Sequence, residues 1–528
     1  MPTFIPASAL GADGRPAPSN RITMGVVGWG MQGPGNTNNF MRQPDCQVVA
    51  SANIDKNHLQ RSLDTINGFY KNQDCKAYDD YREMMARTDI DAVMLAVPDH
   101  WHALMSVEAA KNKKDIFGEK PLARTIAEQQ AIVRAVQSNK RIWQTGSWQR
   151  SERNFHYAAE LVRNGVIGKV TRVEVGLPAG HHDFAGTGRP LLEKLGKLDA
   201  PVKSLAQLVP GTPAWEAAVS TPPAGLDYER WIGPSRMEPY VQARGHMNWR
   251  WNYNTGGGQL LDWIGHHGDI AHWGLGNDDT IGPSELEGVG EFPAPNALWN
   301  TCTKYRITCK YPGDVELIIA GGHSDIAGGT KWIGTEGWVW VDRGNNLKAS
   351  KKEWEESRTL ADDVRKVKLP FTPGGHFRNF LDSVKSRQPT VTPVEVAHHS
   401  AIPGHLGLIA LLTGRKIRWD AAKEEILGDA EASKLLSRPY RAPWALATEG
   451  AARPMAAAPM PLITLRRSIF RSLSRCLDGR VKVNAGRSMH ATTGRESHTT
   501  THRRCHARAG PPGRPSPGCA IPHLPNPS

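Results

Sequence analysis

No CxxC pair occurs anywhere in the 528 residues, and the seven cysteines are scattered. That argues against a zinc ribbon or a thioredoxin-like redox site. Cys302 and Cys309 share a strand-like run, TCTKYRITCKY. Their odd separation sets them on opposite faces of one strand, so no local disulfide is expected. No apolar run approaches the roughly 20 residues needed to cross a bilayer, so no stable membrane insertion is expected. Acidic residues are in deficit, and the net charge is +13. The excess is local, however. From Leu446 onward there are 13 Lys+Arg against 3 Asp+Glu, which leaves the preceding residues at +3. A body so near neutrality gives no reason to expect nucleic acid as a partner. The opening MPTFIPASALGADGRPAPSNR has a basic n-region and a full apolar h-region missing, although ASALGAD resembles the small-residue end of a secretory signal. As written, the chain carries no complete export signal and reads as cytoplasmic. A start codon set further upstream would make it periplasmic.

What is present reads as a globular chain of two or three domains, with 39% hydrophobic and 22% charged residues. The texture divides it into a leader (1–20), an alternating strand–helix part (21–147), an α+β part (148–446) and a tail (447–528). The tail is Ala/Pro-rich, then Arg/Ser/Thr/His-rich, and cannot bury a core, so disorder is expected. Within it, LITLRRSIFRSLSRCL aligns Leu462, Leu465, Ile469 and Leu473 as one basic amphipathic helix face, although solvation is the favoured reading.

The alternating part opens on an apolar strand, Ile22 to Val27, that runs into Gly28-Trp29-Gly30-Met31-Gln32-Gly33. In a GxGxxG turn the first glycine permits the tight bend, the second lets backbone approach a pyrophosphate, and the third allows close helix–strand contact. The helix that follows aims free N–H groups at the phosphates, and Pro34 suits its first turn. A second strand, CQVVASANID, follows at the right distance, and Asn53 or Asp55 is the candidate ribose reader. DAVMLAVPDHWH is a buried strand ending at Pro98, with a helix from His100 to Asn112. KDIFGEKPL and RIWQTGS are further strands around a helical TIAEQQAIVRAVQSN. This order predicts a doubly wound parallel sheet, a Rossmann-type α/β domain.

Beyond residue 147, SERNFHYAAELVRNG reads as helix and GKVTRVEVGL as strand. Residues 180–255 read as long loops. ALWNTCTKYRITCKY, DVELIIAG and TKWIGTEGWVWVD are successive strands, which predicts an α+β domain with a large, mostly antiparallel open sheet. HFRNFLDSVKSRQ and PVEVAHHSAIPGHLGLIALLTGR are helical.

Three stretches, GVVGWGMQG, AVPDHWHALMSVEAAKNKKDIFGEKPLART and GGGQLLDWIGHHGDIAHW, together resemble the Gfo/Idh/MocA oxidoreductases, relatives of glucose–fructose oxidoreductase and inositol dehydrogenase. The resemblance covers about residues 20–446, including the late SRPYRAPW, and Glu119-Lys120-Pro121 is its most specific motif. It implies an N-terminal NAD(P)-binding domain, a C-terminal sheet domain that often forms a homo-oligomer contact, and a small carbohydrate-like substrate. Cofactor-binding positions carried over are Gly28, Gly30, Met31, Gly33, Asn53, Asp55, Pro98, His102, Glu119 and Lys120. Relatives have an acid where Asn53 stands. An amide there repels a 2′-phosphate less, and Lys56 and Arg61 lie near enough in sequence to help bind one. NAD is therefore favoured only slightly over NADP. The resemblance also implies a twin-arginine export signal ending much like PTFIPASALG.

The family's D-x-x-x-H-x-x-D pattern falls on Asp262, His266 and Asp269. On an α-helix these three share one face. By analogy His266 is the acid/base, Lys120 the ammonium beside the reacting oxygen, Asp262 a group that binds a neighbouring hydroxyl or steadies the imidazole, and Asp269 a support for the helix or the site from behind. Glu119 would anchor the lysine or the nicotinamide ribose. Gln149, Arg150, Trp251, Tyr253 and His267 are candidate substrate contacts, with packing the competing reading for Trp249 or Trp251. The paired His266 and His267 invite a zinc reading. No other His/Cys group has evident ligand spacing, His181-His182-Asp183 and His398-His399 being read as loop or helix-surface groups, so no metal is expected.

The leading reading is transfer of a hydride between a sugar, polyol or glycoside hydroxyl and nicotinamide. An alternative is a glycoside hydrolase or lyase of the same fold, which oxidises a ring hydroxyl transiently and eliminates the aglycone. Another is a catalytically silent sugar- or cofactor-binding protein.

Overall fold

Residues buried on both sides mark the first sheet. The strands β1 (Ile22–Val27), β4 (Ala92–Leu95) and β5 (Asp115–Gly118) are almost wholly buried, and near-continuous apolar runs are what strands covered on both faces require. In the computed structural model, which describes residues 16–276 and 282–446, they join β2 (Cys46–Ala52), β3 (Lys76–Tyr78) and β6 (Trp143–Thr145). The order is β3-β2-β1-β4-β5-β6, parallel throughout, the doubly wound arrangement expected. The leader to residue 15 and the whole tail, including its basic amphipathic stretch, lie outside the described residues.

Helices α1 (Gly33–Met41), α2 (Lys56–Tyr70), α3 (Tyr81–Met85), α4 (Asp99–Lys111) and α5 (Ile126–Ser138) link these strands. Alternate strand residues feed two separate cores. Val27, Val93, Leu95 and Ile116 pack with Met84, Trp101 and Ile132 of α3, α4 and α5. Met24, Val26, Met94 and Phe117 pack with Phe40 of α1 and Ile66 of α2. The second core also takes Phe380 and Leu381, from far beyond residue 147. The chain thus returns to the first sheet, and Asp45 pairs with both Arg378 and Lys385 to hold it there.

The second part begins with α6 (Arg153–Arg163) and β7 (Val170–Leu177). Its expected long loops contain three short helices: α7 (Gly188–Leu195) and α8 (Pro213–Ala218), seated on a core of Leu205, Trp215, Trp251 and Trp299, and α9 (Tyr228–Ile232), whose Trp231 and Ile232 pack with Trp249. Then come α10 (Gly258–Trp263) and α11 (Asp269–Leu275). Strands β8 (Glu285–Glu291), β9 (Lys304–Tyr311), β10 (Val315–Gly321), β11 (Gly329–Gly334), β12 (Gly337–Asp342) and β13 (Asn346–Ala349) follow. The chain continues through α12 (Lys352–Glu356), α13 (His376–Ser386), α14 (Val394–Thr413), β14 (Ile417–Asp420) and β15 (Glu425–Ile426). The nine strands order as β13-β12-β11-β7-β10-β9-β8-β14-β15. Every pairing except β7 with β10 is antiparallel. One face is buried by α6, α10, α11 and α14. β8, with two glycines and mostly exposed side chains, lacks the apolar alternation by which its neighbours are read. Cys302 precedes β9 rather than lying in it, so the opposite-face reading of Cys302 and Cys309 does not apply; both are buried free thiols. Among the described residues no helix is long and apolar enough to cross a membrane.

Candidate active site

The glycine turn is built as its spacing demands. Gly28 has φ +93°, and a Cβ on it would overlap the Ala96 carbonyl; one on Gly33 would overlap the Gly28 carbonyl. Around Gly30 there is open space. The first and third glycines are therefore required by the protein, and the second leaves room for something else. Met31 beside it is 46% exposed. The N-terminus of α1 begins at Gly33 with no side-chain cap, so its N–H groups are left for a ligand.

At the end of β2, Asn53 uses its side-chain oxygen to accept the Asp55 N–H at 3.0 Å, leaving its NH2 group as donor. Asp55 is committed elsewhere. It caps α2 by accepting from the N–H groups of Asn57 and His58, and it accepts from His246 Nε2 at 3.0 Å. Burial would raise its pKa, but the hydrogen bond from His246 and its neighbours win and hold it at about 2. Of the two ribose-reading candidates, Asn53 keeps its whole NH2 group, whereas Asp55 also caps α2 and holds His246, with one acceptor site of its carboxylate left over. Lys56 and Arg61 are exposed on the same helix.

The β4–α4 junction puts Pro98 at the N-cap of α4. His102 spends both ring nitrogens on backbone. Its ring nitrogens meet the carbonyls of Val97 at 2.9 Å and Pro121 at 2.6 Å, tying this junction to the cis Lys120–Pro121 peptide. Glu119 is held from α1 rather than by the lysine. It accepts from Asn36 Nδ2 of α1 at 2.7 Å, and burial raises its pKa. The lysine is anchored by another group.

That group is Asp262. Lys120 Nζ donates to the Asp262 carbonyl at 2.6 Å and to its Oδ1 at 3.0 Å, while Arg250 Nε donates to the same Oδ1 at 2.9 Å. Burial would raise the Asp262 pKa, but the charges of Arg250 and Lys120 outweigh it and hold the group at about 2. The carboxylate is a fixed anion, not a proton carrier. The segment after it is not the continuous α-helix assumed from i,i+4 spacing. Ile264–Gly268 is a π-helical turn between α10 and α11, a widening often found at functional sites. Gly265 is needed there, since a Cβ would lie 2.9 Å from Lys120 Cβ. The lysine stem thus crosses the π turn directly beside His266.

His266 is 5% exposed, and its Nδ1 has no hydrogen-bond partner. Burial first, then the charges of Lys120 and Arg343, lower its pKa well below 6.5. Its imidazole is therefore neutral at neutral pH and free to accept a proton.

The remaining candidates lie behind or beside this centre. Arg150 and Asp269 form a buried pair, Nε to Oδ2 at 2.7 Å and Nη2 to Oδ1 at 2.8 Å, with Trp273 under the guanidinium. Arg150 is thereby a residue that holds the site from behind. Trp251 is fully buried with its indole N–H on the His182 carbonyl, and Tyr253 accepts the Cys302 N–H beneath Arg124. Both pack. His267 pairs with Asp342 and stacks on Trp263, and Gln149 Nε2 touches its other nitrogen at 3.3 Å. Sequence reasoning missed Arg250, which only its contact with Asp262 reveals. Among the described residues two groups of donor atoms also converge, each within 4.8 Å: Asp55, His58 and His246, and His398, His399 and Glu424. Neither contains His266 or His267, and His398 is buried, not a surface group.

Two family models match the chain. Residues 22–147 match "Oxidoreductase family, NAD-binding Rossmann fold", and residues 214–446 match "Oxidoreductase family, C-terminal alpha/beta domain". The chain belongs to the Gfo/Idh/MocA oxidoreductase family. A myo-inositol 2-dehydrogenase of Thermotoga maritima is 29% identical over 148 residues, 28% of this chain and 42% of that protein. A glycosyl hydrolase family 109 protein of Shewanella woodyi is 29% identical over 159 residues, 29% of this chain and 33% of that protein. The matched stretch spans less than half of either relative. Among solved structures, the aldose–aldose oxidoreductase of Caulobacter crescentus aligns with a TM-score of 0.52 at 16% identity, over 75% of this chain and 99% of that one. GenD2 from gentamicin A biosynthesis, in complex with NAD, aligns with 0.51 at 15% identity, over 76% and 97%. At such identity these two speak for the fold alone. The nicotinamide dinucleotide implied by the family fits the residues present: Gly30 opens onto free space, α1 offers an uncapped N-terminus, and Asn53 offers an amide.

Proposed function

We propose that the protein is a nicotinamide-dependent dehydrogenase acting on a hydroxyl of a sugar, polyol or glycoside. The observation that carries this is the Lys120–Gly265 crossing, which lays the lysine stem of one domain against the turn that carries a neutral imidazole in the other, with the amine held on Asp262. Bound along Gly30 and α1, the dinucleotide supplies the hydride acceptor. The substrate hydroxyl sits between Lys120 Nζ and His266. The His266 imidazole takes its proton, Lys120 stabilises the charge growing on the oxygen, and Asp262 keeps the lysine in place. Arg250 holds Asp262, so the carboxylate does not compete for the proton. Pro98 and Met31 border the dinucleotide, and Gln149 and His267 border the substrate.

NAD is the favoured cofactor, because the ionised Asp55 beside Asn53 opposes a 2′-phosphate; comparing kcat/KM for NAD and NADP tests this. The outer face of the nine-stranded sheet, with Trp338 and Trp340 under Lys331 and Lys348, is the expected self-association surface, and light scattering reads it. A carbohydrate panel monitored for NADH and for released aglycone tests the reaction. NADH in step with substrate consumed supports the dehydrogenase. Aglycone release without net NADH would favour the transient-oxidation hydrolase, a reading kept because one relative carries a glycosyl hydrolase name. Neither product would leave a binding protein.

A further inference from the structure

Arg343 stands on the turn between β12 and β13, and among the described residues no carboxylate pairs with its guanidinium. Its Nε is buried without a partner, and its Nη2 reaches only Gln149 Oε1, at 3.5 Å. The adjacent acid, Asp342, spends its Oδ1 on the Arg343 backbone N–H at 2.7 Å and on His267 Nε2 at 3.3 Å. Two indoles flank the cation instead. The Arg343 Cζ lies 4.9 Å from the Trp148 ring centre and 4.4 Å from that of Trp263. The other two guanidiniums at the site, Arg150 and Arg250, each have a carboxylate. Stacking on indoles offsets only part of the cost of removing a guanidinium from water.

The arrangement faces the reaction centre. The Trp263 ring is 5.4 Å from His266 and stacked on His267, and the charge of Arg343 bears on both His266 and Asp262. Trp148, Trp263 and Arg343 are all half-buried, so each keeps an accessible edge, and Trp263 carries the group to within ring contact of His266. Indole faces suit the C–H face of a sugar ring, and a guanidinium with open N–H groups suits a planar oxyanion.

We propose that Arg343, held by Trp148 and Trp263, binds an anionic substituent of the sugar, so that the substrate class is acidic sugars with a carboxylate, as in a uronate. This rests on the oxidoreductase reading only for the word substrate; the binding site stands by itself. A phosphate ester offers the same oxyanion chemistry, and the test separates the two.

The test uses the full chain with NAD bound and three probes: D-glucuronate, D-glucose 6-phosphate and D-glucose. Binding is read by calorimetry and by quenching of tryptophan fluorescence. An anionic probe is expected to bind about tenfold tighter than glucose. Glucuronate leading supports the carboxylate assignment, and the phosphate leading overturns it in favour of an ester. Arg343→Gln should bring the three to within about twofold, and Arg343→Lys should keep part of the preference. Should Arg343→Gln fail to fold, salt titration of the wild type replaces it, and the anion advantage should shrink as salt rises. No advantage for either anion in the wild type, or a preference that survives Arg343→Gln or high salt, overturns the proposal. NADH formation in the same samples reports separately on the oxidoreductase reading, which can fail while the anion preference holds.

Discussion

Lys120 and Asp262 are 142 residues apart in the chain, yet the lysine amine donates to both the carbonyl and the carboxylate of that one residue. Lys120→Met should lower kcat/KM by about 10²- to 10⁴-fold, the range of acid–base and charge-stabilising groups. Cofactor binding should stay measurable by fluorescence. Asp262→Asn keeps the carbonyl anchor and should cost less in kcat than Lys120→Met. A larger loss for the asparagine variant would mean that Asp262, not Lys120, is the main catalytic group.

The pH profile should follow the neutral imidazole. His266 acts as base only when unprotonated, and burial with two nearby cations keeps its pKa well below 6.5. The acid limb of kcat/KM should therefore lie below pH 6.5, with activity level from there to neutrality. Removing one cation by Arg343→Gln should shift that limb toward 6.5. A wild-type limb at or above 6.5 would show that the reacting base is another group.

Gly30→Trp should separate folding from cofactor binding. Nothing lies within 4 Å of a Cβ at this position, so the thermal midpoint should hardly move. Dinucleotide titration should show binding lost, because the indole fills the pyrophosphate approach. Retained binding would place the dinucleotide elsewhere.

Asp269→Ala should act on stability. Its partner Arg150 would be left charged in a buried site, an effect of about 3–5 kcal/mol when one member of such a pair is removed. Urea unfolding monitored by tryptophan fluorescence measures it. A change under about 1 kcal/mol would mean that other groups compensate Arg150.

The strands of the first sheet were legible because burial on both faces writes an apolar run, as in Ile22–Val27 and Ala92–Leu95. Gly28 and Gly33 were legible because close backbone approach admits no other residue. Lys120, Asp262 and His266 came from the family resemblance, and their meeting depends on a contact between domains that no spacing encodes. The π turn was hidden, since D-x-x-x-H reads the same on either kind of helix. The second tasks of Asp55 and His102 were hidden for a common reason: a polar group near a ligand turn looks free until its backbone partners are known. Arg343 gave no signal at all, because an arginine before Gly-Asn-Asn is indistinguishable from an ordinary hairpin tip.

The missing side chain at Gly265 sets a rule for protein engineering. A chimera that joins this nucleotide-binding half to a foreign substrate half would need a glycine at the matching place, or its lysine would be pushed out of register before any sugar arrived. Recombination libraries in this fold should therefore treat Lys120 and Gly265 as one inherited unit, even though they lie on opposite sides of the crossover point.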